Sequence, residues 1–189
     1  TSGAVALSGL GIGTTATAAI SVGVANDANA DTNEAQGGLS LTTTGADGAG
    51  NITASMATAL SLGTISNVSI TTSGTAQTID LTAPMVSIAA GGFSVGADNL
   101  VLRAIAGSIE DGTGGTGGNA LTGAILALSS TMGIDVSTIA GAIAATSTGA
   151  SETIFIENTG ALNVNDAADV LGLVAGDAIV SNDGDITVS

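Results

Sequence analysis

Residues 154–164 read IFIENTGALNV, and residues 178–188, starting 24 positions later, read AIVSNDGDITV. Each stretch places alternating apolar residues first, then Asn or Asp, then Gly, then alternation again. Period-two alternation bounded by Asn, Asp and Gly is the signature of short strands joined by tight connections. A two-residue hairpin prefers Asn-Gly or Asp-Gly at its centre, so NDG at 182–184 fits a hairpin, while ENTG at 157–160 fits it less well. A corner between two strands that do not reverse explains both stretches at once. Local turn chemistry permits either reading.

The same rhythm recurs outward from these two stretches, for example in AVALSGLGI (4–12), LSLTTTG (39–45), TIDLTAPMVSIAAGGFSV (78–95) and LVLRAIAGSIEDG (100–112). Spacings of twenty-odd residues predict an all-β chain, a parallel β-solenoid of about eight coils of about 22 residues each. In such a solenoid every strand pairs with those of the coils about 4.8 Å above and below, Val, Ile and Leu stack inside, and Thr, Ser, Asn and Asp face water. Residues 1–189 then form one solenoid segment of a longer exported protein, with projecting loops near 26–38 and 110–119. One helix-compatible exception stands at 166–176, where Val170, Leu171 and Val174 fall at helical spacing. The alternative is a β-sandwich subunit with antiparallel strands that polymerises by strand addition, donating residues 4–13 to a neighbour.

Composition bounds the core and the partners. The chain is 44% apolar but holds only two aromatic residues, Phe93 and Phe155, so its core is built from small aliphatic side chains. A bulky ring needs matching gaps in the layers above and below it, which thin repeated layers do not offer. The 29 Gly argue against long helices. Sixteen Asp and Glu stand against one basic residue, Arg103, for a net charge of −15. Phosphate backbones and anionic bilayers both require Lys or Arg, so nucleic acid is excluded as a partner and membrane surfaces are disfavoured. No run of about 18 apolar residues is present to insert into a bilayer. An acidic, Cys-free surface rich in Thr, Ser, Asn and Gly suits an exported bacterial protein.

The succession LVLRAIAGSIEDGTGG (100–115), ALTGAILALSSTMGI (120–134), IFIENTGALNV (154–164) and SNDGDITV (181–188) resembles the degenerate repeats of giant bacterial surface proteins of the filamentous-haemagglutinin and β-strand-repeat type. The resemblance covers residues 78 to 189 and, more faintly, 1 to 77, and it rests on rhythm rather than on invariant residues. It implies a right-handed parallel β-helix (solenoid) in an extracellular or cell-surface adhesin or fibre, and it brings no catalytic residues. The expected function is a non-enzymatic structural or adhesive segment. Its partners would be other copies of itself, through self-association into a filament, and a glycan or a host or neighbouring-cell surface ligand. The alternatives are a surface-layer or pilus-like filament subunit linked by donated strands and, third, a carbohydrate-active enzyme built on a β-helix.

Side-chain chemistry is sparse. Glu110 with Asp111, Asp183 with Asp185, and Glu152 with Glu157 are the close acidic pairs that glycoside hydrolysis would need. No His, Cys, Tyr or Lys stands by to assist them. Calcium is the sharper candidate ligand. Asp27, Asn29, Asp31 and Asn33 alternate and are followed by Glu34, an all-oxygen set that resembles the opening of an EF-hand loop, without that loop's sixth-position Gly or twelfth-position Glu. Weaker calcium candidates are NDGD at 182–185 and GGTGGNAL at 114–121, where Asn119 replaces the ligand Asp of the calcium-binding β-roll nonapeptide. Thr-rich stretches at 41–45 and 69–74 are too few for an ice-ordering array, and NIT (51–53) and NVS (67–69) match the glycosylation sequon. Arg103 is expected to pair with Glu110 or Asp80 on an adjacent coil.

Overall fold

The computed structural model describes residues 5–9, 20–22, 39–43, 51–56, 59–63, 68–72, 77–112, 119–164 and 179–189. Among them the chain forms strands and no helix. In chain order the strands are β1 (Val5–Gly9), β2 (Ile20–Val22), β3 (Leu39–Thr43), β4 (Ile52–Met56), β5 (Leu60–Leu62), β6 (Val68–Thr71), β7 (Thr78–Ala83), β8 (Val86–Ile88) and β9 (Phe93–Ser94). They continue with β10 (Asn99–Ala104), β11 (Ile109–Glu110), β12 (Leu121–Ser130), β13 (Ile134–Ala150), β14 (Ile154–Asn158), β15 (Asn163–Val164), β16 (Ile179–Asn182) and β17 (Ile186–Val188).

Every pairing between described strands is parallel, and each strand pairs with one from the previous or the next return of the chain. One ladder runs β2–β4–β7–β10–β12 and on to the C-terminal half of β13, which β15 and β16 then join. A second runs β5–β8–β11, the N-terminal part of β13, β14 and β17. The strands β1, β3 and β6 form a separate three-stranded ladder, and β9 pairs with the start of β12. These parallel ladders are the opposite of the antiparallel pairing that a β-sandwich would require.

The returns vary in length. Along the first ladder they are 34 residues (Ile20↔Ala54), 27 (Ile52↔Ile79), 21 (Thr78↔Asn99), 26 (Asn99↔Ile125), 17 (Leu126↔Ile143) and 34 again (Ala145↔Ile179). The 17-residue return is the tightest because β13 itself runs unbroken from the second ladder at Ile134 to the first at Ser147. The expected spacing of about 22 residues is met by the returns of 21 at Thr78↔Asn99 and at Ala142↔Asn163, while the others spread from 17 to 34.

Register converts the alternation into columns. In β7 the burial alternates strictly, with Ile79, Leu81 and Ala83 inside. Ile79 is stacked in register between Ile52 and Leu100, followed by Leu126 and Ile143, all fully buried. Leu60, Val86, Ile109, Ile134 and Ile154 make the matching column of the second ladder. Burying each such side chain is worth about 1.5–3 kcal/mol. Neither aromatic ring enters these columns: Phe93 packs against the core's margin half-buried, and Phe155 stands on the outward side of β14. One outward stretch departs from the polar rule, since Val101, Ala127 and Ala144 hold outward register positions and form a small buried cluster of their own.

The two stretches that share a rhythm prove to be corners of different kinds. The segment 154–164 leaves the second ladder through β14 and enters the first at β15, whereas 178–188 leaves the first through β16 and enters the second at β17. β16 and β17 each pair with a different neighbour and not with each other, which overturns the hairpin reading of NDG. Asp183 adopts a left-handed backbone (φ 62), as does Ser151 (φ 62), which opens the corresponding corner one return earlier. Gly160, at the other corner, has φ 107. The helix-compatible stretch 166–176 lies outside the described residues.

Candidate functional site

A concavity that carries ionisable groups lies where β11, β13 and the corner before β14 meet. It is an open cleft of about 200 Å³ lined by Glu110, Met132, Gly133, Ile134, Asp135, Ser151, Glu152, Thr153 and Phe155. Glu110, Asp135 and Phe155 succeed one another in a single outward register column, which is why residues 45 positions apart in sequence, Glu110 to Phe155, share one wall. Glu110 accepts a hydrogen bond from the Ser108 hydroxyl. Asp135 is pushed above its ordinary value of 3.8, first by burial, then by the negative charges of Asp111 and Glu110. One of its oxygens, Oδ1, is buried with no hydrogen-bond partner.

Asp111, next to Glu110 in sequence, points the other way. It is buried, and its Oδ2 accepts the Ser137 amide at 2.8 Å. The Asp111 amide donates to the Asp135 carbonyl at 3.0 Å, and Asn119 Nδ2 donates to the Asp111 carbonyl at 3.1 Å. The sequence pair is therefore split between a solvent-facing cleft and an interior bracket.

The same bracket recurs at other corners. Asn51 Oδ1 accepts the Thr78 amide (2.7 Å), Asp98 Oδ1 accepts the Gln77 amide (3.0 Å) and also takes the Thr72 hydroxyl on Oδ2, and Asn158 Oδ1 accepts the Ala140 amide (3.0 Å). Each joins backbone to side chain across neighbouring returns, where the ladder's own hydrogen bonds stop. Sequence reasoning named Asp111 only as the acidic neighbour of Glu110 and Asn51 only within a sequon, and it missed the bracketing role of all four residues. The available signal was position, because Asn51 and Asp98 directly precede β4 and β10, Asp111 directly follows β11, and Asn158 ends β14.

The remaining candidates are placed plainly. Asp27, Asn29, Asp31, Asn33 and Glu34 lie outside the described residues, as do most of 114–121 and Asn67 of the second sequon. Asn51 of the first sequon is engaged in its bracket. Asp183 and Asp185 are exposed on a corner, and Asn182 Nδ2 reaches the Thr148 carbonyl at 3.4 Å. Glu152 lines the cleft, whereas Glu157, at the far end of β14, has a buried Oε2 with no hydrogen-bond partner. Among the described residues no group of three or more His, Cys, Asp or Glu is placed to hold a metal ion. Arg103 pairs with Asp80 rather than Glu110, through Nε to Oδ1 at 3.1 Å and Nη2 to Oδ2 at 3.2 Å.

Chemically, the cleft offers the carboxylates of Glu110, Asp135 and Glu152 beside Phe155 and Met132. The chain has no His, Cys, Tyr or Lys, and the other polar side chains that line the cleft are the hydroxyls of Ser151 and Thr153. No protein-family model, no curated protein and no solved structure matches the chain.

Proposed function

We propose that the chain is a right-handed parallel β-solenoid that serves as a non-enzymatic structural or adhesive segment of an extracellular bacterial surface protein or fibre. The observation that carries this reading is the unbroken register of the second ladder. Leu60, Val86, Ile109, Ile134 and Ile154 follow one another inside it while Ser61, Ser87, Glu110 and Asp135 follow one another outside. A body built this way lengthens by adding returns without needing a wider core, which is what a shaft requires. The right hand follows from the strong bias of crossovers between parallel strands.

The acidic, Cys-free composition and the isolation of Arg103 in a paired strand support an exposed, protease-facing setting. An adhesive role would place a glycan or a neighbouring-cell ligand against the outward columns and the corners. Immuno-electron microscopy with antibodies against residues 1–189 tests the reading. Labelling of fibres on intact cells, with the strand spacing of about 4.8 Å running along the fibre axis, is the expected result. Label confined to the cell interior, or strands running along the fibre in separate beads, would overturn it.

A further inference from the structure

One corner of the fold is apolar on its outside. Where the chain turns from the first ladder into the second, three successive returns place Met85, Ile105 and Met132, which are 43%, 60% and 56% exposed. Backbone hydrogen bonds continue through this corner and hold its shape. The Ile105 amide donates to the Ala83 carbonyl (2.9 Å), the Ala106 amide to the Pro84 carbonyl (3.0 Å) and the Met132 amide to the Gly107 carbonyl (3.2 Å). Gly107 closes the step between the first two returns, since a Cβ there would meet the Met85 side chain at 3.1 Å. The next return puts Glu152 at the same corner. Beside this ridge runs the outward column Ser87, Glu110, Asp135 and Phe155, one residue per return. Ridge and column meet in the cleft, where the carboxylates of Glu110, Asp135 and Glu152 stand beside Met132 and Phe155.

Such a face is complementary to a ligand that brings aliphatic surface and positive charge together. The chain does not supply that charge itself, because its one Lys or Arg, Arg103, is held by Asp80 in the first ladder. A second copy brings none either, and it carries the same charge of −15. An anionic bilayer is repelled, and an uncharged sugar leaves the three carboxylates without a counter-charge. We propose that this face docks a basic, amphipathic segment of a partner protein, extended along the stacking axis, with an Arg or Lys in the cleft and aliphatic side chains on Met85, Ile105 and Met132. From Met85 to Glu152 the ridge spans three strand spacings, about 14 Å, which about four residues of extended peptide cover. In the cleft a guanidinium can bridge two carboxylates and lie against the Phe155 ring.

This inference rests on the adhesive form of the proposed function and deepens it by naming the chemistry of the ligand. Fluorescence anisotropy tests it, with the whole chain and a dansyl-labelled pentapeptide that alternates leucine and arginine. Saturable one-to-one binding is expected, and it should weaken several-fold from low to high salt as the carboxylates are screened. Glu110→Gln with Asp135→Asn should weaken it about tenfold or more, although removing two negative charges moves the net charge only from −15 to −13. Ile105→Ser with Met132→Ser should weaken it about fivefold and leave the salt dependence in place. All four positions face outward, so strand content by circular dichroism should stay unchanged in both variants. A matched peptide with serine in place of leucine should also bind about fivefold more weakly. No saturable binding at any salt, equal binding of the serine peptide, or wild-type affinity in either double variant overturns the proposal. None of these outcomes touches the register of the ladders. Spin-label distances that do not fit parallel returns overturn the solenoid reading instead, which keeps the two failures distinguishable.

Discussion

Two layers of one ladder, β14 and β17, carry nearly the same sequence pattern and live in different environments. In β14, Ile154 and Ile156 are fully buried between β13 and β17; in β17, Ile186 and Val188 stand in the same columns and are 47% and 39% exposed. Alternation in the chain thus says which side chains point inward, and the neighbouring return decides whether inward means buried. Stability in this architecture is a property of adjacent layers, so identical substitutions should cost very different amounts at the two positions.

The largest expected difference follows directly. Ile154→Ala opens a cavity between packed layers and should cost about 2–5 kcal/mol, whereas Ile186→Ala, at a site already half in water, should cost about 1 kcal/mol or less. Urea titration read by brief trypsin digestion measures both. The chain's one Lys or Arg is Arg103, held in β10 against Asp80, so cleavage into two fragments reports global unfolding. Equal losses at the two positions would remove the contrast between inner and outer layers.

Next in size are the brackets that join layers where the ladders stop. Asp111→Ala leaves the buried Ser137 amide without its acceptor and should cost about 1–3 kcal/mol, and Asp111→Asn, which keeps an acceptor oxygen, should cost less. Of similar size is Gly184→Ala. A Cβ there would collide with the Glu152 carbonyl oxygen, so the two corners must separate, with a loss of about 1–3 kcal/mol as in an overpacked core. Both are read by the same digestion assay.

The smallest effect is one of pH. Asp135 has its proton affinity raised in the folded chain by burial and by Asp111 and Glu110. The folded state therefore binds this proton more tightly than the unfolded state. Its contribution to stability is fully present below the ordinary value of 3.8 and is lost as pH rises through the raised folded value. Asp135→Asn should flatten that decline and leave the chain more stable than the wild type at neutral pH, as measured by urea midpoints from pH 3 to pH 8.

Much of the fold was legible because strand alternation is written locally. The inward sets of β4, β7 and β14 can be read straight off ITASM, TIDLTA and IFIEN. The absence of rings from the core columns also follows from composition. What was not legible was non-local. Hairpin against corner at NDG depends on which strand lies beside β16, and nothing within five residues encodes that. The lengths of the returns were equally hidden, because Leu126 to Ile143 and Ala145 to Ile179 differ twofold with similar flanking rhythm. The candidate cleft was half legible. Glu110 and Asp111 were singled out as a pair, but adjacent positions on a strand face opposite sides, so one joined the cleft and the other an interior bracket. Asp135 and Phe155 entered the site only through register.

The most direct test of the account measures that register in solution. Ser61, Ser87, Glu110, Asp135, Phe155 and Thr187 form one continuous outward column of the second ladder. Spin labels on cysteines introduced at Thr187 and, in turn, at Ser61, Ser87 or Glu110 should give backbone separations of about 24, 19 and 14 Å by pulsed dipolar spectroscopy, one strand spacing per return. Three distances falling in equal steps of about 5 Å is the predicted result. Distances that do not fall in such steps, or that fail to order Ser61 beyond Ser87 beyond Glu110, would contradict parallel stacking of successive returns.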